Sequence, residues 1–242
     1  MAIWVSSDWH CEPGKLKGAV AEWIKRGKEG NHRLIAAGDL FDILPLGKKH
    51  CKNPDSIKEL AAILDGYTFE YVAGNHDPYG TMKKLLAPYP NIKLLKRLEI
   101  EDSGRKYYIT HGHQWAIDWG YLGLRRVAPR FVEFMVRWFP SLWYRICRWR
   151  GWLARPGAAE KTPGKESQHI TKLTRIIWGG AADHALRKNC CVILGHTHTV
   201  CRHERALSRE EGFQAYVLDD GDLTDGTYVE IRGKEARPVF LA

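Results

Sequence analysis

The sequence predicts an α/β protein in which helices cover sheet and a separate segment is inserted into the chain. Strand-like and helix-like runs alternate through the first 110 residues, and hairpin-like strands crowd the end. Between residues 115 and 180 the alternation gives way to Arg- and Trp-rich segments punctuated by Pro129, Pro140, Pro156 and Pro163.

Taken in order, residues 3–6, 33–37, 69–73 and 107–110 read as strand-like runs, and helix-like runs cover residues 16–26, 56–64 and 82–86. Asp102-Ser103-Gly104-Arg105 has the composition of a hairpin turn joining 98–101 to 106–110. The run Cys191-Val192-Ile193-Leu194, stopped by Gly195, reads as a core strand. Short strands follow near 200–206, 213–218, 227–231 and 238–241, while 154–164 reads as a loop between helices of the insertion. The expected domains are a core of 1–114 with 181–242, and a helical cap of 115–180.

At 242 residues the chain can bury a substantial core, and 44% hydrophobic with 27% charged residues is the composition of a globular protein. A net charge of +9 points to an anionic partner or substrate: nucleotide, nucleic acid or acidic lipid surface. The six cysteines show no CxxC spacing, which predicts free thiols in a reducing compartment. The opening MAIWVSSDWH lacks the basic and long apolar regions of a signal peptide, and no apolar run reaches transmembrane length. The expected location is cytoplasmic.

Chemistry concentrates where strands end. The first strand runs into Asp8-Trp9-His10, the second into Gly38-Asp39-Leu40-Phe41-Asp42, the third into Gly74-Asn75-His76-Asp77. Residues 107–110 run into His111-Gly112-His113, and CVIL into Gly195-His196-Thr197-His198. Each motif alone has an ordinary structural explanation, since Asp after a strand often caps a helix and GN or GD often turns the chain. Five together are another matter. In open α/β sheets, ligands sit beyond the carboxyl ends of strands, so five such tips can converge on one site.

This pattern of DxH at 8–10, GDxxD at 38–42, GNHD at 74–77, a lone His at 111 and GHxH at 195–198 resembles the calcineurin-like metallophosphoesterase superfamily. The resemblance spans nearly all of the chain except the insertion. It implies an αββα sandwich, two sheets face to face with helices outside, and a two-metal site at the strand tips. Carried over residue by residue, Asp8, His10, Asp39 and His198 would hold one metal, and Asp39, Asn75, His111 and His196 the second, with Asp39 bridging. Imidazole, carboxylate and amide ligands suit Mn²⁺, with Fe²⁺ and Zn²⁺ as alternatives. Two such ions about 4 Å apart generate hydroxide at neutral pH and clamp the oxygens of an in-line displacement at phosphorus. The ligand set leaves His76 free to protonate the leaving oxygen or stabilise the transition state. The resemblance implies Asp42 as its orienting partner. Asp77 is expected to be a structural turn carboxylate and Cys11 a packed thiol, whereas His113 fits either the site or a turn.

The insertion's position and length are similar to those of the UDP-2,3-diacylglucosamine hydrolase group, which implies cleavage of a pyrophosphate bond beneath a helical cap. That group typically has Arg where this chain has His76. In the insertion Phe131, Phe134, Trp138 and Trp149 recur at helical spacing among arginines such as Arg137, Arg145 and Arg148. A packed helical hairpin, a cap resting peripherally on the inner face of an anionic membrane and a nucleic-acid-stacking surface all fit that pattern. Three functions stay open: a pyrophosphatase or phosphodiesterase on a UDP-linked glycolipid, a nuclease or general phosphodiesterase, and a metal-binding scaffold without turnover.

Overall fold

A computed structural model describes residues 1–11, 16–43, 55–115, 172–198, 200–203, 217–220, 223 and 226–241. In chain order these form β1 (Ile3–Ser6), α1 (Gly18–Glu29), β2 (Arg33–Ala36), α2 (Asp55–Leu64), β3 (Phe69–Val72), α3 (Tyr79–Leu85), β4 (Ile92–Leu95), β5 (Leu98–Asp102) and β6 (Arg105–Ile109). Then come α4 (Lys172–Lys188), β7 (Cys191–Leu194), β8 (Val200–His203), β9 (Val217–Asp220), β10 (Thr227–Arg232) and β11 (Glu235–Phe240).

One sheet has the order β11-β10-β1-β2-β3-β4, the other β5-β6-β7-β9-β8. The strands β1 to β4 run parallel, as do β6, β7 and β9, while β10, β11, β5 and β8 pair antiparallel at the flanks.

Side-chain alternation builds the layers. On extended backbone, successive residues face opposite sides of the sheet. Trp4, Leu34, Ala36, Phe69 and Tyr71 pack against Trp23 and Ile24 of α1, Leu60 and Leu64 of α2, and Met82 of α3. Their neighbours Ile3, Val5 and Ile35 turn the other way, onto Tyr107, Ile109, Cys191, Ile193 and Leu218 of the second sheet. The far face of that sheet, with Tyr108, Val192 and Leu194, is covered by Ile177, Trp178, Ala181, Ala182 and Ala185 of α4. This is the expected αββα sandwich. Burying each large aliphatic contributes roughly 1.5–3 kcal/mol, so the strands are fixed in register by both faces at once.

The structure differs from the sequence expectations at several edges. β4 was not expected. It is a short edge strand paired only with β3, in which Ile92 is buried and Lys93 exposed, so too little of it carries a pattern. Of the strand expected at 213–218, residues 213–216 lie outside the described residues, and β9 runs on through Asp219 and Asp220, acidic residues that disguise a strand. α1 continues to Glu29, its buried face of Val20, Trp23, Ile24 and Gly27 outlasting the periodicity read from sequence. β11 begins at Glu235 and accommodates Pro238 because it is an edge strand.

Cys11, Cys190 and Cys191 are buried and form no disulfide among the described residues. Cys11 packs in the helix-covered core, and burial pushes its thiol up to about 11. Residues 116–171 of the segment expected as a cap lie outside the described residues, and its final residues belong to α4. Among the described residues no helix is long and apolar enough to cross a membrane.

Candidate metal centre

The five strand tips meet. β1 delivers Asp8 and His10, β2 Asp39 and Asp42, β3 Asn75 and His76, β6 His111, and β7 His196 and His198. At four of the five tips, those of β1, β2, β6 and β7, the chain passes through left-handed backbone. Asp8, His10, Asp39, His196 and His198 have φ of 54°, 43°, 51°, 73° and 53°, and Gly38 and Gly112 lie at 98° and 101°. Non-glycine residues visit this region at a cost, and their clustering at one place marks a functional site.

Backbone pairing carries the tips forward together. The Asp8, His10 and Cys11 amides donate to the carbonyls of Gly38, Asp39 and Leu40, and the Asp42 amide donates back to Cys11 at 3.1 Å. The glycines of the three Gly-led motifs leave room for ligand side chains. A Cβ on Gly74 would overlap Asp39, one on Gly195 would overlap Ser7 and Asp8, and one on Gly38 would overlap the His111 ring.

Two ligand groups result. In the first, Asp8 Oδ1 lies 3.4 Å from His198 Nε2 and 3.6 Å from His10 Nε2, and the two imidazole nitrogens are 3.3 Å apart. In the second, His111 Nε2 lies 3.1 Å from Asp39 Oδ2, 2.9 Å from Asn75 Oδ1 and 3.1 Å from His196 Nδ1. All seven ligands expected from the sequence are in these two groups. Asp39 stands with the second.

Each carboxylate has one oxygen tied down and one presented to the cluster. Asp8 Oδ2 accepts the Ser7 hydroxyl and the His196 amide at 2.7 Å, whereas the buried Asp8 Oδ1 has no hydrogen-bond partner. Asp39 Oδ1 accepts the His76 amide at 2.8 Å, leaving Oδ2 toward His111. His111 Nδ1 donates to the Ala37 carbonyl at 3.1 Å, so its Nε2 is the nitrogen turned to Asp39 and Asn75. A buried acceptor without a donor costs about 1–3 kcal/mol. A divalent cation among Asp8 Oδ1, His10 and His198, and another among Asp39, Asn75, His111 and His196, satisfies acceptors that otherwise face one another. The donor set fits such ions.

Without a cation, protons take that role. Burial disfavours charge on His10, but its bond to Asp42 and the nearby Asp8 and Asp39 raise it to about 10. Burial also opposes charge on His111, and the Asp39 carboxylate overcomes it, raising the ring to about 9. Burial together with the His111 charge pushes His196 down to about 3 and His113 to about 4. Burial raises Asp8, yet the His10 ring 3.6 Å away and the His111 and His198 charges leave it at about 2.

His76 Nδ1 lies 2.7 Å from Asp42 Oδ1, and its Nε2 is 3.9 Å from Asp39 Oδ2. Asp77 is fully buried and accepts from the amides of Gly74, Asp39, Leu40 and Phe41 and from the Tyr71 hydroxyl. It latches the β2 and β3 tips together, the structural role expected of it. The His113 ring stands 5.4 Å from that of His111, and its buried Nδ1 has no partner. Sequence reasoning missed Ser7 and the Ala37 carbonyl, which nothing in their local sequence distinguishes.

The family pattern of calcineurin-like phosphoesterases matches residues 1–200. The chain belongs to that family. Among solved structures, this calcineurin-like phosphoesterase is similar to an archaeal phosphodiesterase, at 16% identity over 100% of both chains with a TM-score of 0.47. It is similar also to Yfce, a phosphoesterase from E. coli, at 14% identity over 100% of both chains with a TM-score of 0.48. Vps29 from Entamoeba histolytica aligns at 14% identity over 99% of both chains with a TM-score of 0.45. At these identities and scores the three carry no argument about substrate. No curated protein matches the sequence at a significant level.

Proposed function

We propose that this phosphoesterase is a dinuclear hydrolase of a phosphodiester or pyrophosphate bond, with Asp8, His10 and His198 holding one ion and Asn75, His111 and His196 the other. Asp39, which stands with the second group, would serve both. The observation that carries the reading is the convergence of buried acceptors at the strand tips, above all Asp8 Oδ1, which has no hydrogen-bond donor of its own.

When bound, two divalent ions, Mn²⁺ before Fe²⁺ or Zn²⁺, supply activation of water at neutral pH and positive charge against the phosphate oxygens. The chain's own residues do the rest. The Ser7 hydroxyl and the His196 amide hold Asp8, and the His76 amide holds Asp39, so the ligand oxygens are oriented before substrate arrives. His76, with Nδ1 against Asp42, turns Nε2 toward the cluster and delivers a proton to the leaving oxygen. Residues 116–171 of the insertion take a substrate-selecting role, the final residues of the expected 115–180 segment belonging to the sheet-covering α4. With its interleaved aromatic residues and arginines, the insertion suits a lipid-linked nucleotide of the UDP-diacylglucosamine type at a membrane surface.

The test is turnover of a chromogenic phosphodiester, a UDP-linked sugar lipid and single-stranded DNA by chelated and Mn²⁺-reconstituted protein. Chelation is expected to abolish hydrolysis and Mn²⁺ to restore it. His76→Ala should keep its metal and lose about a hundredfold or more in turnover, and Asp39→Asn should lose metal at both positions. Hydrolysis that survives complete chelation, or an Asp39→Asn protein with two ions per chain, overturns the reading. Preference for DNA over the lipid-linked nucleotide assigns the enzyme to nucleases.

A further inference from the structure

One oxygen serves two imidazoles. Asp42 Oδ1 lies 2.7 Å from His10 Nδ1 and 2.7 Å from His76 Nδ1. The two rings stand edge to face, with centroids 4.9 Å apart and planes at 78°, so their Nδ1 atoms approach that oxygen from different directions. A carboxylate oxygen has two lone pairs and accepts both. The arrangement does not depend on the rings for its placement. The Asp42 amide donates to the Cys11 carbonyl, directly after His10, and the Cys11–Phe41 bridge extends the β1–β2 pairing to this point. From the other side, the His76 amide is held by Asp39 Oδ1 at 2.8 Å. Backbone from three strand tips therefore converges on one carboxylate.

We infer that Asp42 is a shared positioning residue: one oxygen fixes the His10 ring with Nε2 toward the first ion position and, simultaneously, the His76 ring with Nε2 toward the substrate. Its role thus extends beyond partnering His76. When both Nδ1 atoms donate to Asp42, both Nε2 atoms face inward, which is the orientation a metal ligand and a proton-transferring ring each need. The second ion position is built separately. His111 takes its orientation from the Ala37 carbonyl, so loss of Asp42 is expected to leave it untouched.

This rests on the reading of His10 as an ion ligand and His76 as the substrate-facing ring, and its test does not require turnover. Asp42→Ala removes the shared oxygen altogether, whereas Asp42→Asn, which keeps an acceptor there, is the conservative control. By calorimetry with Mn²⁺, the Asp42→Ala variant should bind one ion about ten- to a hundredfold more weakly, as loss of a ligand's supporting partner typically does, and the other unchanged. In Zn²⁺-loaded protein, nitrogen-15 spectra of the histidine rings should show Nδ1–H on His10, His76 and His111. The variant should lose the hydrogen-bonded shift of the first two Nδ1–H groups and keep that of the third, a selectivity that general destabilisation does not produce.

Two tight ions with an unchanged His10 pattern overturn the inference. So does equal weakening at both positions in proportion to a fall in melting temperature. Should the variant not fold, the unmodified Zn²⁺-loaded protein decides alone, because Nδ1 without a proton on either His10 or His76 refutes shared positioning. The two readings also fail separately. A protein with the ring pattern but no phosphoester turnover loses the proposed function and keeps this inference, and an active enzyme without the pattern does the reverse.

Discussion

Removing Asp77 should unfasten the centre from beneath, though it touches no ion in the proposed site. Its carboxylate receives Leu40 and Gly74 amides at 2.6 and 2.7 Å, Asp39 and Phe41 amides at 3.2 Å, and the Tyr71 hydroxyl. Asp77→Ala strands four backbone amides and one hydroxyl in a buried place. At about 1–3 kcal/mol for each unsatisfied group, and allowing for a water that re-satisfies some, the loss is on the order of 5 kcal/mol. That is a large part of the roughly 5–15 kcal/mol that stabilises an ordinary domain. For a chain of this size, about 2–4 °C of melting temperature per kcal/mol predicts a fall of roughly 10–20 °C. Tyr71→Phe removes one donor of the five, leaves no amide stranded and should cost about 1 kcal/mol. Thermal melts of metal-free protein measure both. An Asp77→Ala protein melting within about 3 °C of the parent would refute the latch, as would Tyr71→Phe matching it in cost.

The glycines offer a steric test. Gly195→Ala places a Cβ against Ser7 and Asp8, and Gly74→Ala places one against Asp39, so both should reduce Mn²⁺ per chain by elemental analysis. Gly80→Ala, whose Cβ would meet nothing within 4 Å, should leave it unchanged, and equal retention by all three would sink the steric argument. The protons of the metal-free centre predict a pH dependence. His10 and His111 are raised to about 10 and about 9 from an ordinary 6.5, so their stabilisation is complete below about pH 6.5 and disappears as pH rises through 9 and 10. His196, depressed to about 3, works at the other end, costing stability as pH falls from 6.5 toward 3. Melting temperature of chelated protein should therefore peak near neutrality and fall on the alkaline side. Saturating Mn²⁺ should flatten that alkaline decline, and a melt that instead rises from pH 7 to 10 without metal contradicts the assigned protons.

The strand tips were legible because each apolar run ends abruptly on Asp, Asn or His, a contrast visible within ten residues. The contacts between tips were not. Asp42 is 32 positions from His10 and 34 from His76, and only the laddering of the β1 and β2 tips brings it to both. The latch formed by Asp77 was foreseen as a turn carboxylate, but its five donors come from two loops and a strand, so local sequence could not number them. β4 escaped notice for an opposite reason: an edge strand needs few apolar residues, and Ile92-Lys93-Leu94-Leu95 buries only its first fully.

The bond from the His196 amide to Asp8 Oδ2 joins residues 188 positions apart and, with them, the first strand of one sheet to the central strand of the other. No fragment that ends before residue 196 can complete the centre, whatever local structure it adopts. Closing so long a loop carries an entropic cost, and non-local contacts of this kind slow folding. During synthesis the growing chain therefore carries Asp8, Asp39 and His111 as an unfinished set. In the proposed site, capture of both ions would then report that residues 8 and 196 have found each other, and chelation should loosen the seam between the sheets before it loosens either sheet.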